Sequence, residues 1–486
     1  MQILYRGAFE LAREIKAGHL SSIQVLDFFL ARIERFNEGL NAVVALDTER
    51  ARERAAAADA AAARGEDWGP LHGVPLTIKD SFCTAGLVTV GGIPDCRDNI
   101  PATNAAAVQR YIDAGAIVFG KTNVPYMTAD LQTYNEVYGV TNNPWNPART
   151  CGGSSGGAAA ALAAGLTPLE LGSDIGGSIR TPSHFNGVFG HKSSFGIVPY
   201  AGHLPPGEGV LSELDITVAG PLATCVDDLE QALDLLLGPD SSDAPAWRVE
   251  LPPPSFRDIG GLRVAVWADD PFCPVGSEVQ RCINSVAGTL QHLGARVELE
   301  ARPDIDPEAN HRNYVQLLMA VMAGTLPDSV RALAAEAVAA ADPADYSEAM
   351  LQMRGVALSH SAWLEQNEIR LHTREAWSRF FGEFDVLLCP CVHVPAFPHD
   401  HTPDMLQRSL VVDGETRPYT DLLRWAGLTI NAYLPATVVP AGLTLDGLPV
   451  GVQVVSRYLG DRTTLAVARL LERHHRAFTA PPGYAQ

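Results

Sequence analysis

Two loops rich in glycine and serine contain the residues of this chain that are best suited to chemistry. They span residues 151–157 and 172–180, and each lies beside a predicted core element. Glycine adopts backbone conformations closed to other residues and lets a substrate approach the main chain closely, so such loops can direct several N–H groups at one point. Taken alone, each loop also fits a plain tight turn.

The second loop has the makings of an oxyanion hole beside a serine nucleophile. It follows a predicted strand and begins with Asp174. Three consecutive backbone N–H groups then precede Ser178, those of Ile175, Gly176 and Gly177. Donors fixed before reaction stabilise the charge that develops on a carbonyl oxygen, and loss of one costs about 2.7–4 kcal/mol. We therefore expect Ser178 to attack a carbonyl group.

The base that such a serine needs is predicted to be a lysine. A hydroxyl is a poor nucleophile until a base takes its proton. The histidines near the loops, His184, His191 and His203, have no evident acidic partner. Lys79 ends an apolar strand, where burial would lower its pKa and leave a neutral amine. The alternative is that Lys79 only pairs with Asp80 or another carboxylate.

A competing interpretation places the nucleophile in the first loop, at Ser155. Residues 153–157 satisfy G-x-S-x-G, the nucleophile elbow of α/β-hydrolases, which would make Ser155 the nucleophile. That motif needs a strand directly before it. Residues 143–147 contain two prolines and do not suit a central strand, so this alternative is the weaker one.

A third cluster has the side-chain types of a metal site, contributed by Cys389, Cys391, His393, His399 and His401. The ligand types suit zinc, but their spacing matches no established zinc motif. The two cysteines also fit the end of a buried strand. We therefore predict neither a metal nor a cofactor.

The elements that must position these residues alternate between strands and helices. Apolar residues recur at helical spacing over residues 8–36, and 51–64 is rich in helix formers. Short apolar runs bounded by Gly, Pro and Asn predict buried strands, among them 74–78, 169–171 and 450–455. This alternation predicts an α/β fold with a largely parallel central sheet.

The bulk composition excludes several partners. The net charge is 36 − 56 = −20, which repels phosphate backbones and anionic membranes, so we expect no nucleic-acid and no membrane partner. Eight irregularly spaced cysteines do not form a disulfide framework, and residues 1–20 lack a signal-peptide core. We expect a cytoplasmic protein.

No linker divides residues 1–486, and 240–254 is predicted to be a surface connection within one domain.

Lys79, Ser154 and Ser178 occur in this order with spacings of 75 and 24 residues, and in this the chain resembles the amidase signature family. Four further stretches support the resemblance, at residues 120–123, 142–147, 384–390 and 447–453. The similarity runs from about residue 8 to residue 472. Two stretches depart from the family pattern: Cys151 replaces a usual proline, and residues 191–194 replace an apolar-Lys-Pro-Thr sequence.

The resemblance implies one α/β domain with a large mixed sheet covered by helices on both faces. It implies that Ser178 attacks the substrate while Ser154, after a cis peptide bond, relays its proton to Lys79, and that water hydrolyses the acyl-enzyme. The implied oxyanion donors are the N–H groups of residues 175–177. Further residues that match supporting positions are Asp174, Ser155 and Arg180.

Within that domain, residues 1–65 are expected to be N-terminal helices, 66–240 the catalytic core and 255–486 a second half whose helices at 308–379 cover the pocket. The stretch 126–135 occupies the place of the acyl pocket. It resembles enzymes that act on nylon-oligomer amides and urethanes. Candidate substrate contacts are Met127, Thr128 and Gln132. An apolar pocket there would favour aryl or alkyl amides, esters and carbamates.

Two other functions remain open. One is the glutaminase subunit of a tRNA-dependent amidotransferase, which would need partner subunits. The loop at 199–211 and the acidic net charge disfavour it. The other is a catalytically silent binding protein of the same fold. The main hypothesis is an amidase for a small-molecule amide and water, acting as a monomer or homodimer.

Overall fold

The computed structural model describes residues 3–239 and 242–486, and these contain fourteen α-helices and seventeen strands. The helices are α1 (Ala8–Lys16), α2 (Ser22–Leu40), α3 (Thr48–Ala63), α4 (Ala106–Asp113), α5 (Gly156–Ala163), α6 (Arg180–Asn186), α7 (Val226–Leu236), α8 (Ser277–His292), α9 (Pro307–Ala323), α10 (Asp328–Ala340), α11 (Glu348–Val356), α12 (His360–Glu383), α13 (Leu422–Ile430) and α14 (Asp461–His474). The strands are β1 (Val43–Leu46), β2 (Pro75–Lys79), β3 (Ile117–Thr122), β4 (Tyr134–Asn135), β5 (Gly139–Val140), β6 (Asn142–Asn143), β7 (Asn146–Thr150), β8 (Leu169–Asp174), β9 (Phe189–Lys192), β10 (Val218–Ala223), β11 (Arg263–Val266), β12 (Arg296–Leu299), β13 (Val386–Pro390), β14 (Ser409–Val412), β15 (Glu415–Pro418), β16 (Ala436–Leu443) and β17 (Pro449–Val455).

Eight strands form the central sheet, in the order β12-β11-β13-β17-β16-β9-β10-β8. The α/β class and the large mixed sheet are confirmed. The prediction that this sheet is mostly parallel is wrong, because β11 is parallel to β12 and β13 whereas the other five neighbouring pairs are antiparallel. One reason is local: residues 444–448 join β16 to β17, and so short a connection can only turn the chain back on itself.

Helices cover both faces of this sheet. Successive side chains of a strand point to opposite faces. On one face, Gln453 of β17 accepts a hydrogen bond from Arg180 of α6 at 3.1 Å. On the other, Thr437 of β16 donates to Thr464 of α14 at 2.8 Å. The helical layers on both faces agree with the expected fold.

A second, three-stranded sheet carries the candidate base. Its order is β1-β3-β2, with β2 parallel to β3 and β1 antiparallel to it. Residues 1–65 are therefore not only helices, since the apolar run Val43–Leu46 forms β1. Helix α2 begins at a capping box in which Ser21 and Gln24 satisfy each other's backbone N–H groups.

The described part of the predicted surface connection, residues 242–254, contains no helix or strand and is mostly exposed. Residues 240 and 241, which begin that connection, lie outside the described residues. The four helices α9 to α12 occupy the stretch predicted to be helical at 308–379. Across the described ranges, no helix is both long and apolar enough to cross a membrane.

Candidate active site

Lys79 and Ser154 meet in the interior of the molecule. Lys79 is the last residue of β2, and Ser154 lies in the loop that leads into α5. The Lys79 Nζ lies 2.7 Å from the Ser154 Oγ, and both residues are buried. The peptide bond between Gly153 and Ser154 is cis, as the resemblance implied. Two residues 75 positions apart in sequence are thus in direct hydrogen-bond contact.

Ser178 lies in the loop between β8 and α6, beside the first glycine-serine loop. The Ser155 N–H donates to the Ser178 carbonyl oxygen at 3.1 Å, which holds the two loops together. The Ser155 hydroxyl donates to the Ser173 carbonyl oxygen at 3.3 Å. The strand before Ser155 is β7, which forms a two-stranded sheet with β6 and lies outside the central sheet. The elbow alternative therefore lacks the central strand that it requires.

Asp174 organises the loop that carries Ser178. Its carboxylate accepts hydrogen bonds from the N–H groups of Gly177 at 2.8 Å and Ile179 at 3.0 Å. Two nitrogens of the Arg180 side chain also donate to it, at 3.0 and 3.1 Å. Burial alone would raise the pKa of Asp174, but the charge and hydrogen bonds of Arg180 outweigh it and hold that pKa at about 2. This ion pair is fully buried, and it fixes the course of the loop.

The three predicted oxyanion donors differ in their surroundings. The N–H of Gly177 already donates to Asp174, so a substrate oxygen would have to share it. The Asp174 carboxylate does not bind the N–H groups of Ile175 and Gly176. Beside Gly176 lies Tyr314 of α9, whose hydroxyl donates to the Ile175 carbonyl oxygen at 2.8 Å. Gly177 has φ +104°, a conformation that side chains disfavour, which explains a glycine there.

The electrostatic environment of Lys79 keeps much of it neutral near pH 7. Burial lowers the pKa of Lys79 from its usual 10.5 to about 7, although the negative charges of Asp174 and Glu170 oppose the change. A buried amine without a proton can accept one. The arrangement can therefore take a proton from Ser154, and this is the chemistry expected of a general base.

Two residues beside Lys79 were not among the predicted site residues. The Ser173 hydroxyl lies 2.8 Å from the Lys79 Nζ. Glu170 is fully buried in β8, and burial raises its pKa to about 8, against the hydrogen bond that the Thr77 hydroxyl donates to it. A charged residue inside the predicted apolar strand at 169–171 was the available signal for Glu170. Ser173 directly precedes Asp174, so its place in the second loop was the signal there.

The candidate substrate contacts lie on a loop that packs against Gly153. A Cβ at Gly153 would come within 2.6 Å of the Asp130 carbonyl oxygen, so this glycine permits the close approach. Met127 and Thr128 are half-buried and have φ of +52° and +56°, values that are uncommon outside glycine. Gln132 is buried, and its amide group bonds the backbone of Asp400 at 2.6 and 3.1 Å. The Gln132 amide is thus engaged within the fold.

A buried arginine joins this loop to a distant part of the chain. Arg408 donates to Asp130 at 2.7 Å and to the Tyr134 hydroxyl at 2.7 Å. The Tyr419 hydroxyl donates to the other Asp130 oxygen at 2.5 Å. These bonds connect the loop with the segment around the β14-β15 hairpin, and the stretch from Asp130 to Tyr134 is thereby fixed.

Comparison with known proteins identifies the fold family. The family model described as Amidase matches residues 24–465. The chain belongs to the amidase signature family. Members hydrolyse amide C–N bonds of small molecules with water, and the predicted amide hydrolysis is confirmed at this level.

Three known proteins illustrate the similarity within the amidase signature family. An indoleacetamide hydrolase of Bradyrhizobium diazoefficiens is 31% identical over 470 residues, 96% of this chain and 86% of that protein. A glutamyl-tRNA(Gln) amidotransferase component from a Synechococcus species is 33% identical over 485 residues, 95% of this chain and 94% of that one. The crystal structure of a bacterial aryl acylamidase superposes with a TM-score of 0.82 at 26% identity, over 97% of each chain.

The stretch that departs from the amidase signature pattern, residues 191–194, contains a histidine with an acidic partner that the sequence analysis missed. His191 Nε2 lies 3.1 Å from Asp461 of α14, and Ser194 also donates to that carboxylate, at 2.6 Å. The other ring nitrogen lies 2.9 Å from Thr437. These are interior contacts between β9, β16 and α14, and no serine of the two loops is among them.

The cysteines and histidines considered as metal ligands do not converge. Cys389 and Cys391 are buried at the end of β13, whereas His399 and His401 are partly exposed. In the described ranges, no group of three or more His, Cys, Asp or Glu side chains has a geometry that could hold a metal ion. Every one of the eight cysteines is free.

Cys151 replaces a proline that is common in the amidase signature family. Its thiol lies 3.4 Å from the Thr141 carbonyl oxygen.

Proposed function

We propose that this amidase cleaves aryl or alkyl amides through an acyl-enzyme on Ser178. Ser178 would attack the substrate carbonyl and pass its proton to Ser154, which passes its own to neutral Lys79. The observation that carries this proposal is the 2.7 Å separation of Lys79 Nζ and Ser154 Oγ in a buried environment. Direct contact of the amine with the relay hydroxyl is what proton transfer requires.

The negative oxygen of the tetrahedral intermediate would be bound by backbone N–H groups. We assign the N–H groups of Ile175 and Gly176 to this role first, with that of Gly177 shared between substrate and Asp174. Collapse of the intermediate breaks the C–N bond as Ser154 returns the proton to the leaving nitrogen. Water, deprotonated by the same relay, then attacks the ester carbonyl and releases the acid and Ser178.

The preference for apolar amides rests on the surroundings of Ile175. An apolar cluster packs against it, formed by Ile216, Tyr314, Val315, Leu318, Leu351 and Ile430. We propose that this cluster forms one wall of the acyl pocket, and an apolar wall offers little to a charged substrate group. The likeness to an aryl acylamidase supports the same substrate class. We extend the proposal to esters and carbamates, urethanes and nylon-oligomer amides included, because the same acyl-enzyme chemistry serves them.

Helices of the second half are proposed to cover this pocket. Tyr314 ties α9 to the oxyanion loop. Arg370 of α12 donates to Asp215 at 2.7 Å, which links that helix to the segment after the loop at 199–211. We propose Met127 and Thr128 as substrate contacts. Gln132 is proposed to act indirectly, by holding its loop against Asp400.

The direct test is covalent labelling. A fluorophosphonate probe, followed by peptide mapping, should modify Ser178 in the wild type and nothing in Ser178→Ala. A panel of p-nitroanilides, p-nitrophenyl esters and p-nitrophenyl carbamates with varied acyl length then ranks substrates. Folded protein that shows neither label nor turnover would favour the catalytically silent alternative. Label at Ser155 would favour the elbow alternative.

A second candidate function is the glutaminase subunit of an amidotransferase, because a component of such an enzyme is 33% identical over most of both chains. It predicts hydrolysis of glutamine and association with other subunits. The amidase proposal predicts a monomer or homodimer that is active alone. Light scattering of the purified chain, combined with a glutamine assay, separates the two.

A further inference from the structure

Behind Lys79, hydrogen bonds continue through two buried side chains to a backbone carbonyl. The Lys79 Nζ lies 2.8 Å from the Ser173 hydroxyl. That hydroxyl lies 3.0 Å from His203 Nε2, and His203 Nδ1 lies 3.1 Å from the Pro205 carbonyl oxygen. All three side chains are buried. The candidate base is therefore one member of a longer chain of polar groups.

The far end of this chain determines the direction of every hydrogen bond in it. A carbonyl oxygen can only accept, so His203 Nδ1 carries the hydrogen that points at Pro205. In the neutral ring, Nε2 is then an acceptor. The Ser173 hydroxyl must donate its single hydrogen to Nε2. Its oxygen is left to accept from Lys79.

The neutral amine of Lys79 has two N–H donors and one lone pair. Two acceptors of Ser173 lie near it, the hydroxyl oxygen at 2.8 Å and the carbonyl oxygen at 3.5 Å. With its hydrogens directed at Ser173, the lone pair faces the remaining neighbour, Ser154 Oγ, at 2.7 Å. This is the orientation in which Lys79 can accept a proton.

We propose that His203 is a positioning residue that, through Ser173, keeps the lone pair of Lys79 directed at Ser154. The inference rests on the proposed function, in which Lys79 is the base. Without the acceptor at Nε2, the Ser173 hydroxyl can rotate and donate to the amine. The lone pair would then be occupied by Ser173 and withheld from Ser154.

His203 is held in the neutral form by its surroundings. Its ring stacks on Tyr200 with centroids 4.5 Å apart and meets the edge of Phe82 at 4.9 Å. Burial lowers the pKa of His203 to about 3, and the positive charges of Lys79 and Lys121 act in the same direction. The imidazole therefore stays an acceptor at Nε2 over the whole pH range in which an assay is practical.

The remaining groups around this chain of hydrogen bonds are compatible with the arrangement. Tyr200 also lies near Ser173, whose oxygen keeps a second lone pair besides the one that accepts from Lys79. The ionisable groups that face Lys79 are Asp174 and Glu170 of β8, and Lys121 of β3 faces His203. None of these changes when His203 alone is replaced, so a shifted pH profile can be assigned to the hydrogen-bond chain.

The test compares His203→Leu with His203→Gln. Leucine removes the acceptor, whereas glutamine can present an oxygen near the position of Nε2. For His203→Leu we expect kcat to fall about 10- to 100-fold with KM within about twofold, because the substrate contacts are unchanged. We also expect the acid limb of the kcat profile to move down by about 0.4–1 pH unit, since a hydroxyl that donates to the amine favours its neutral form.

His203→Gln should recover most of kcat and the wild-type acid limb. The matched control is His72→Gln, because His72 is equally buried and bonds Trp68 and Ala58 outside the site. It should lose stability without moving the profile. If His203→Leu folds and keeps the wild-type kcat and acid limb, the positioning role is wrong although the proposed function stands. Turnover by Ser178→Ala would instead refute the proposed function itself.

Discussion

Replacement of Lys79 by methionine should make the enzyme more stable, by an amount that depends on pH. Methionine has nearly the length of lysine but carries no charge to bury. The pKa of Lys79 is about 7 in the folded protein and 10.5 when unperturbed. Below pH 7 both states bind the proton and the folded state bears the full cost of a buried charge. Between pH 7 and 10.5 only the unfolded state binds it, so wild-type stability rises with pH.

The magnitude follows from these two pKa values. Their difference is 10.5 − 7 = 3.5, and at about 1.36 kcal/mol for each pKa unit the cost at pH 6 is about 5 kcal/mol. At pH 9 it has fallen to about 2 kcal/mol. The stability of Lys79→Met relative to the wild type should therefore decrease by about 3 kcal/mol between pH 6 and pH 9. Lost hydrogen bonds to Ser154 and Ser173 lower the advantage at every pH but leave this slope.

The measurement is urea denaturation of both proteins at several pH values, followed by fluorescence of the buried tryptophans Trp267, Trp377 and Trp425. Only the difference between the two proteins matters, because other buried groups such as Lys121 and Lys192 titrate in both. A difference that stays constant within about 0.5 kcal/mol from pH 6 to pH 9 would refute a lysine held neutral by burial. It would also remove the physical basis for its role as base.

Four further results are expected. Ser178→Ala should abolish hydrolysis and Lys79→Ala should nearly abolish it, because the relay acts as a unit. Ser155→Ala should retain turnover. Steady-state rates with a p-nitroanilide substrate measure all three variants. Wild-type kcat should rise about tenfold per pH unit below pH 7 and level off above it, because the pKa of Lys79 is about 7. A flat pH profile, measured where the chemical step limits the rate, would contradict the role of Lys79 as a neutral base. Tyr314→Phe removes the 2.8 Å hydrogen bond to the Ile175 carbonyl oxygen and should lower kcat about 2- to 10-fold. Arg180→Met should lower the free energy of unfolding by about 3–5 kcal/mol, because Asp174 stays buried and unpaired.

The parts of the site that depend on local sequence pattern could be predicted from the sequence. Lys79 was expected at the end of an apolar strand, and β2 ends there. Asp174 and Ser178 were expected to follow a strand: Asp174 is the last residue of β8, and Ser178 lies in the loop between β8 and α6. Glycine content, strand length and residue order are properties that a sequence carries within a few positions, so these expectations needed no long-range contact. Their catalytic roles stay predictions.

The parts that could not be anticipated depend on distant segments. His203 was set aside for lack of an acidic partner, but its partners are a hydroxyl and a carbonyl, and every loop has such groups. His191 was equally isolated in the sequence, yet Asp461 is 270 positions away in the chain. The prediction of a mostly parallel sheet failed for the same reason, because apolar runs such as those of β13 and β17 look alike in parallel and antiparallel sheets.

The hydrogen bonds of Arg408 have a practical consequence for attempts to change the substrate specificity of this enzyme. The loop that carries Met127 and Thr128 is fastened to the segment near residue 400 by Asp130, Arg408 and Gln132. A loop transplanted from a relative without its counterpart around Arg408 would leave a guanidinium buried and unpaired. The two stretches, 126–135 and 398–421, therefore form a single exchangeable cassette, and libraries for new substrates should vary them together.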